Sequence, residues 1–296
     1  MKSKWHYLLI AILVLLVGCG QSVSKGVEEK GETTSQQLSN DQEQKLENVE
    51  KKRDDSADKA EEKEETTVDK NEDEPNEVDE PEEAEIIEPK YQLTDYWSVK
   101  PIDDAPEQVV LLTIDDAPDK YALQMATTLK ELNAKAIFFV NGHFLNTEEK
   151  KEVLKQIYDM GFPIGNHTIN HQSLPDLSEQ QQREEIVKLN DIVEEVTGER
   201  PKFFRAPFGQ NTEFSTKLAA EENMLLMNWS FGYDWEKDYQ SEEAIADIMI
   251  NTELLGNGSN LLMHDREWTA KALDKIVKGL RDKGYTMVDP ALIKTP

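Results

Sequence analysis

A run of apolar residues at positions 109–114, interrupted only by Thr113, passes directly into two adjacent aspartates, Asp115 and Asp116. The run is continuous rather than alternating, which is typical of a strand that is buried on both faces of a parallel sheet. Two neighbouring carboxylates repel each other and lose hydration on burial, so a strand end that carries both needs a compensating charge. We therefore expect a buried strand with a metal ion at its carboxyl end.

Downstream of this strand, short apolar runs alternate with stretches of helical spacing. This alternation indicates parallel βαβ units, and about seven of them in about 200 residues predict an α/β fold with an irregular, partly incomplete (β/α) barrel. The further predicted strands lie at 134–140, 162–165, 202–205, 224–229, 260–264 and 285–288, and the predicted helices at 119–133, 147–160, 178–196, 213–222, 242–254 and 269–283.

Composition divides the chain into three parts. Residues 1–18 begin with lysines and continue into an apolar run that is too short to span a bilayer, which is the pattern of a signal peptide. Residues 19–90 hold 25 acidic and 10 basic residues and few large apolar ones, so they cannot offset the loss of chain entropy on folding. We expect them to form a disordered acidic linker. Residues 91–296 are long enough for one core and form the predicted globular domain.

Residues 16–19, Leu-Val-Gly-Cys, end the apolar run and resemble the lipobox of bacterial lipoproteins. The resemblance implies that Cys19 is lipidated and becomes the mature N-terminus. The alternative is an ordinary signal peptide with an incidental cysteine. Because Cys19 is the only cysteine in the chain, an intramolecular disulfide is excluded. Lipid and linker would tether the domain to the extracytoplasmic face of the bacterial cell membrane, with a reach of about 45–50 Å.

Polar residues repeatedly follow the predicted strands, at the ends where α/β barrels carry their active sites. The pattern His167-x-x-x-His171 stands out, because two imidazoles spaced in this way share one face if the stretch is helical. The alternative is a pair of solvent-facing histidines. With Asp116 they form an open set of two nitrogens and one oxygen, which is typical of a catalytic zinc. The polar residues at strand ends are Asp115, Asp116, His143, His167, Arg205, Asp234 and His264.

Five segments, in this order, resemble the motifs of the polysaccharide deacetylases, also called NodB-homology domains or carbohydrate esterase family 4. The family fold is a deformed (β/α) barrel. The resemblance implies a metal-dependent hydrolase that removes N-acetyl groups from a polysaccharide with one divalent ion, Zn²⁺ or alternatively Co²⁺ or another divalent ion. The segments are 113–118 (TIDDAP), 167–171 (HTINH), 205–208 (RAPF), 234–235 (DW) and 262–264 (LMH).

The resemblance assigns the metal ligands and the general base. Asp116, His167 and His171 would hold the ion, which would polarise the acetamide carbonyl and lower the pKa of its bound water. Asp115 would take a proton from that water. Arg205 would keep Asp115 ionised and oriented, and a guanidinium can do so through a bidentate pair.

The resemblance also assigns the acid and the substrate contacts. His264 would protonate the departing amine, and Asp234 would hold His264 and raise its basicity. The backbone N–H of Phe208 would stabilise the oxyanion. Trp235 and Leu262 would line a small apolar pocket for the acetyl methyl group, with ordinary core packing as the alternative for both.

Two positions depart from the family pattern. Ala117 stands where the first motif usually has glycine, and its methyl group would be costly if the backbone there needs a positive φ. Phe231 stands where an aspartate usually precedes the Asp-Trp pair. These departures predict altered substrate choice or reduced activity. His143 lies outside the motifs, and a cleft-lining role and a structural role both remain open for it.

The expected partner is a cell-wall glycan. A lipid-anchored bacterial domain meets the wall first, so N-acetylglucosamine or N-acetylmuramic acid of peptidoglycan is the expected substrate, with exopolysaccharide, chitin oligomers and xylan as alternatives. Two other classes are a poorly active, wall-binding structural lipoprotein and a solute-binding lipoprotein, of which a metal-ligand set disfavours the second. The net charge of −27 argues against nucleic-acid binding. We expect a monomer.

Overall fold

The computed structural model describes residues 88–296. The predicted signal peptide at 1–18, the lipidation site Cys19 and nearly all of the predicted linker at 19–90 lie outside the described residues and remain predictions. Within the described part, no helix combines the length and the apolar character needed to cross a bilayer.

Ten strands and six helices make up the described residues, together with short 3₁₀ turns. Two short strands pair as an antiparallel hairpin at the start, β1 (Tyr91–Leu93) and β2 (Val99–Pro101). The remaining strands are β3 (Val109–Ala117), β4 (Ile137–Val140), β5 (Ile164–Asn166), β6 (Phe203–Phe204), β7 (Leu225–Leu226), β8 (Phe231–Gly232), β9 (Ser259–His264) and β10 (Thr286–Met287). The helices are α1 (Ala122–Glu131), α2 (Glu148–Asp159), α3 (Glu179–Thr197), α4 (Glu213–Glu221), α5 (Glu242–Asn251) and α6 (Glu267–Asp282).

Seven parallel strands form a curled sheet in the order β7-β6-β5-β4-β3-β9-β8, and β10 pairs with the start of β3. Within residues 88–296, the outer strands β7 and β8 do not pair with each other, so the sheet forms a half-barrel. The helices lie beside one another in the spatial order α5-α6-α1-α2-α3-α4. This arrangement confirms the predicted α/β class and the incomplete (β/α) barrel.

The central strand β3 is apolar throughout because both of its faces are buried. Val110, Leu112 and Ile114 pack with apolar residues of the helices in one core cluster. The alternate residues Val109 and Leu111 belong to a second cluster, which fills the concave side of the sheet. The side that carries Val109 and Leu111 continues along the strand to Thr113 and Asp115. This face of β3 is therefore apolar at the start of the strand and polar at its carboxyl end.

The structure differs from the sequence-based boundaries at the start of α1. The predicted helix begins at residue 119, whereas α1 begins at Ala122. The backbone N–H groups of Lys120 and Tyr121 instead donate to the carboxylate of Asp265, at 3.1 and 2.5 Å. A contact across 145 residues thus sets this boundary, and local helical spacing contains no signal for it. The short strand β8 was not among the predicted strands.

Candidate active site

The two aspartates at the end of β3 face the same site although they are neighbours. Successive side chains of a regular strand point to opposite faces. Here Asp116 has a φ of 61°, and the pairing of β3 with β4 shifts register between Ile114 and Ala117. As a result Asp115 Oδ2 and Asp116 Oδ1 lie 3.5 and 4.0 Å from the same atom, Nε2 of His167. A local irregularity of the strand therefore creates the paired-carboxylate site.

Arg205 forms a buried ion pair with Asp115 inside the half-barrel. It is fully buried, and its Nη1 donates to Asp115 Oδ1 at 2.6 Å and to Thr113 Oγ1 at 3.0 Å. Its Nη2 and Nε donate to the backbone carbonyls of Asn228 (2.8 Å) and Met227 (3.4 Å). Arg205 therefore contacts Asp115 through one nitrogen and does not form the bidentate pair that a guanidinium can make, because these carbonyls occupy its other edge. The arrangement leaves Asp115 Oδ2 free to face the cleft.

Asp116, His167 and His171 form the candidate metal site. One ligand atom from each residue lies within 4.8 Å of the others, and Asp116 Oδ1 is 3.6 Å from His171 Nε2. His167 Nδ1 lies 2.7 Å from the backbone carbonyl of Arg205. That bond fixes the ring and directs Nε2 toward the cluster, as is usual for a metal-binding histidine.

The protonation states of this cluster suit a cation. Burial and the neighbouring His167 lower the pKa of His171, which keeps its imidazole neutral and its lone pair available. Burial alone would raise the pKa of Asp116, but the surrounding histidines and Arg266 outweigh it and lower the pKa. A neutral His171 nitrogen and an ionised Asp116 oxygen thus converge with His167 Nε2, and this donor set of two nitrogens and one oxygen fits a divalent ion.

The segment that carries both histidines is a loop, not a helix, so the helical interpretation of H-x-x-x-H is wrong. Thr168 and His171 adopt left-handed backbone conformations, with φ of 69° and 52°. Buried polar side chains hold the loop in place of helical hydrogen bonds. Asn141 Nδ2 donates to the carbonyl of His167 at 2.5 Å.

A buried glutamate clamps the other end of this loop. The backbone N–H and the side-chain amide of Asn170 each donate to Glu185, at 2.7 Å, one to each carboxylate oxygen. Glu185 lies on α3 and is only 8% exposed. Asn141 and Glu185 were not predicted from the sequence, although an asparagine directly after a predicted buried strand was a usable signal.

His264 is held by Asp234 on the other side of Asp115. Asp234 Oδ1 lies 2.6 Å from His264 Nδ1, and Asp234 Oδ2 accepts from the His264 backbone N–H at 2.6 Å and from Thr269 Oγ1 at 2.8 Å. Burial alone would lower the pKa of His264, but Asp234 and the two carboxylates of Asp115 and Asp116 raise it above its ordinary value of 6.5. The ring can therefore stay protonated and act as an acid near neutral pH.

We expect Asp234→Asn to move the alkaline limb of the pH–rate profile to lower pH. A general acid loses activity as the pH rises through its pKa, and removing the Asp234 charge removes a main cause of the raised pKa of His264. The rate at the optimum should fall on the order of 10²-fold. The measurement is kcat against pH for both proteins. An alkaline limb that stays in place would separate Asp234 from the acid function.

Three predicted substrate contacts differ in their exposure. Phe208 is 62% exposed, has a φ of 58° and places its ring 4.8 Å from that of His171. Trp235 is 47% exposed, and its ring lies 5.5 Å from that of His264. Leu262 is buried in β9. A Cβ at Gly232 would approach Leu262 O to 2.6 Å and the Trp235 ring to 2.8 Å, so a glycine is required for their packing.

The two departures from the family pattern lie in the hydrophobic core. The left-handed backbone of this stretch belongs to Asp116 rather than to Ala117, so the methyl group of Ala117 meets no conformational penalty of that kind. Phe231 in β8 packs beside Tyr233, with ring centroids 5.9 Å apart. His143 is exposed, its Nδ1 lies 3.0 Å from the carbonyl of Ile169, and it is not a member of the ligand cluster.

Two further residues of the site follow His264 directly in the chain. The buried carboxylate of Asp265 binds the loop after β3, and burial raises its pKa. Arg266 Nη2 lies 2.8 Å from Asp116 Oδ2. The predicted motif ends at His264 and includes neither residue. Their adjacency to a candidate acid was the available signal.

Replacing His167 by alanine should abolish stoichiometric metal binding. His167 supplies one of three donors, so affinity should fall by more than about tenfold, the scale found when only an outer partner of a ligand is lost. Metal per chain after dialysis measures this. His143→Ala is the matched control, because His143 lies outside the cluster. Unchanged stoichiometry in His167→Ala would refute the ligand assignment.

Comparisons with known proteins cover the same part of the chain. Residues 102–227 match the family model described as polysaccharide deacetylase. A peptidoglycan-N-acetylglucosamine deacetylase of Bacillus cereus is 34% identical over 197 residues, which cover 63% of this chain and 68% of that protein. The peptidoglycan-N-acetylmuramic acid deacetylase PdaC of Bacillus subtilis is 32% identical over 62% of this chain, which spans only 38% of the length of PdaC.

Solved structures give the same similarity. The structure of peptidoglycan deacetylase PdaC aligns with a TM-score of 0.55 at 30% identity and covers 62% of this chain and 89% of that chain. A family 4 pseudoenzyme from Bacillus anthracis aligns with a TM-score of 0.57 at 25% identity and covers 64% of this chain and 67% of that chain. Similar proteins thus include a pseudoenzyme, so activity in this fold depends on which residues occupy the site.

Proposed function

Since this chain belongs to the polysaccharide deacetylase family, carbohydrate esterase family 4, we propose that it removes N-acetyl groups from peptidoglycan with the help of one divalent ion. One observation carries this proposal. Three groups of side chains converge at the carboxyl ends of neighbouring strands. They are the ion pair of Asp115 with Arg205, the pair of His264 with Asp234, and the ligand set of Asp116, His167 and His171. Asp115 and His264 are register partners across β3 and β9, so the proposed base and acid stand side by side.

Asp115 is the proposed general base. Arg205 donates to its Oδ1, while Oδ2 faces the histidines and can accept a proton from water. A divalent ion held by Asp116, His167 and His171, for which we propose Zn²⁺, would polarise the acetamide carbonyl and make the water more acidic. The burial of Asp115 excludes bulk water from the Arg205 side of the carboxylate.

His264 is the proposed general acid. Its Nδ1 is engaged by Asp234, so Nε2 is the nitrogen that can give a proton to the departing amine. Protonation of that amine prevents reversal of the C–N cleavage, because an ammonium is no longer a nucleophile. The raised pKa of His264 keeps this proton available near neutral pH.

The exposed aromatic side chains suit a sugar substrate. Phe208 and Trp235 flank the two histidines His171 and His264, and they present apolar faces to solvent at the cleft. We propose that Trp235 contacts the acetyl group, with Leu262 beneath it, and that the Phe208 backbone N–H stabilises the oxyanion. Peptidoglycan is the proposed glycan because similar proteins are named for it and because the predicted lipid anchor would place the domain beside the wall.

A second candidate is a wall-binding protein that keeps this fold with little turnover. The similarity to a pseudoenzyme and the departure from the family pattern at Phe231 favour it. Against it stand the complete ligand set and the intact partners of Asp115 and His264. The two candidates predict opposite results in one assay.

The deciding assay measures acetate release by the purified full chain with added Zn²⁺. Peptidoglycan and N-acetylglucosamine oligomers are the primary substrates, and acetylated xylan and an N-acetylated exopolysaccharide test the alternatives. Release from peptidoglycan supports the proposed function. Tight glycan binding without release from any substrate would refute the deacetylase and support the wall-binding candidate.

A further inference from the structure

Arg266 occupies an unfavourable position at the start of α6. It is the N-cap residue of this helix, and its side chain makes no capping hydrogen bond. N-cap positions favour side chains that accept a hydrogen bond, and a positive charge is unfavourable at the positive end of the helix dipole. Four of the six helices have a hydroxyl side chain that caps the start, namely Thr147, Ser178, Thr212 and Ser241. The arginine at α6 therefore weakens the helix and calls for another explanation.

The Arg266 side chain reaches Asp116 instead. Its Nη2 lies 2.8 Å from Asp116 Oδ2, and its Nη1 donates to the Asp265 carbonyl at 3.2 Å. The other oxygen, Asp116 Oδ1, lies 3.6 Å from His171 Nε2 and 4.0 Å from His167 Nε2. The two oxygens of Asp116 thus have separate partners, the arginine for one and the histidines for the other.

The backbone around Arg266 is fixed to the strand that carries Asp116. The Asp265 N–H donates to the carbonyl of Asp115 at 3.0 Å, and the Arg266 N–H donates to the carbonyl of His264 at 2.8 Å. The Asp265 carboxylate binds the Tyr121 N–H beyond β3. Because these bonds hold the start of α6 against the end of β3, the arginine has a defined position relative to Asp116.

We propose that Arg266 is a positioning residue that holds Asp116 through Oδ2, so that only Oδ1 is offered to a divalent ion beside the two histidines. A carboxylate can bind a cation through one oxygen or both, and a second Asp116 oxygen would use a coordination position that water or substrate needs. An ion pair between two exposed side chains would contribute little to stability and would need no functional explanation. The pair of Arg266 and Asp116 differs from such a contact, because the side chain of Asp116 is only 14% exposed and because Arg266 disfavours the helix that it begins. This inference rests on the proposed metal dependence.

The test compares Co²⁺ bound to the full-length wild type and to Arg266→Asn. Asparagine is a good N-cap residue, so the Co²⁺-loaded variant should melt no lower than wild type. Its visible Co²⁺ absorption should weaken, because release of Asp116 Oδ2 raises the coordination number. The kcat for acetate release should fall about 10- to 100-fold, with a smaller change in KM. Arg266→Lys, which keeps the charge and one donor, should restore part of both signals.

Arg281→Gln is the matched control, because Arg281 lies in the last turn of the same helix and its Nη2 donates to the Asn133 carbonyl, far from the cluster. It should leave the Co²⁺ spectrum unchanged. A spectrum and kcat of Arg266→Asn equal to those of wild type would overturn the inference, as would tighter Co²⁺ binding with an unaltered spectrum, which is the signature of charge alone.

The outcome also separates this inference from the proposed function. If wild type binds Co²⁺ but releases no acetate from any glycan, the deacetylase proposal fails while the spectral comparison still decides the role of Arg266. If wild type binds no Co²⁺, the metal site and the role of Arg266 are both refuted.

Discussion

Replacing Asp115 by asparagine should lower kcat/KM for acetate release by about 10²- to 10⁴-fold, the usual contribution of a general base. Asparagine keeps an oxygen that can accept from Arg205 Nη1, so the local geometry is retained. Its amide cannot take a proton from water. Because Asp115 is not a member of the ligand cluster, metal content should stay the same.

Acetate release and metal per chain, measured on the same preparation, test this expectation. Asp119→Asn is the matched control, since Asp119 lies in the adjoining loop and outside the cluster. Loss of metal from Asp115→Asn would mean that Asp115 is a ligand, and full activity would remove it from the mechanism.

Replacing Arg205 by methionine should lower the free energy of unfolding by about 3–5 kcal/mol, the scale for breaking a buried ion pair from one side. The change leaves Asp115, which is 2% exposed, without its cation, and it removes one of the two donors to the carbonyl of Asn228, of which the side-chain amide of Asn260 remains. The guanidinium also stacks on the ring of Phe139 at 4.3 Å, and methionine retains part of that packing. The loss is therefore mainly electrostatic.

Urea unfolding of the metal-free proteins at neutral pH measures this effect. Combining Arg205→Met with Asp115→Asn removes both charges, so the double variant should be more stable than the sum of the two single effects predicts. Simple additivity would show that the Arg205–Asp115 pair contributes no coupling energy.

The sequence predicts those parts of the site whose residues follow one another directly in the chain. The apolar run of β3 predicts its burial because both faces of that strand are covered, and the two aspartates at its end predict a polar site. The same reasoning fails at residues 167–171, where two histidines have the spacing of a helix but lie in a loop. That loop depends on Asn141 and Glu185, which lie 26 and 15 residues from their partners.

Long-range geometry explains the remaining differences. The single contact between Arg205 and Asp115 depends on where the carbonyls of Asn228 and Met227 fall. Likewise, Arg266 reaches Asp116 across 150 residues. No local pattern contains this information, because it arises only when the parallel strands are assembled.

The register between β3 and β9 has a consequence for the motions that turnover requires. Register partners in neighbouring strands are about 4.8 Å apart, and the hydrogen bonds of the sheet keep that spacing constant. The backbones at Asp115 and His264 therefore keep this spacing whether or not a substrate is bound. The entropic cost of aligning the proposed base and acid is incurred once, when the chain folds, and would not be repeated in each catalytic cycle. A site of this kind needs no closing lid to bring the two proposed proton-transfer groups together.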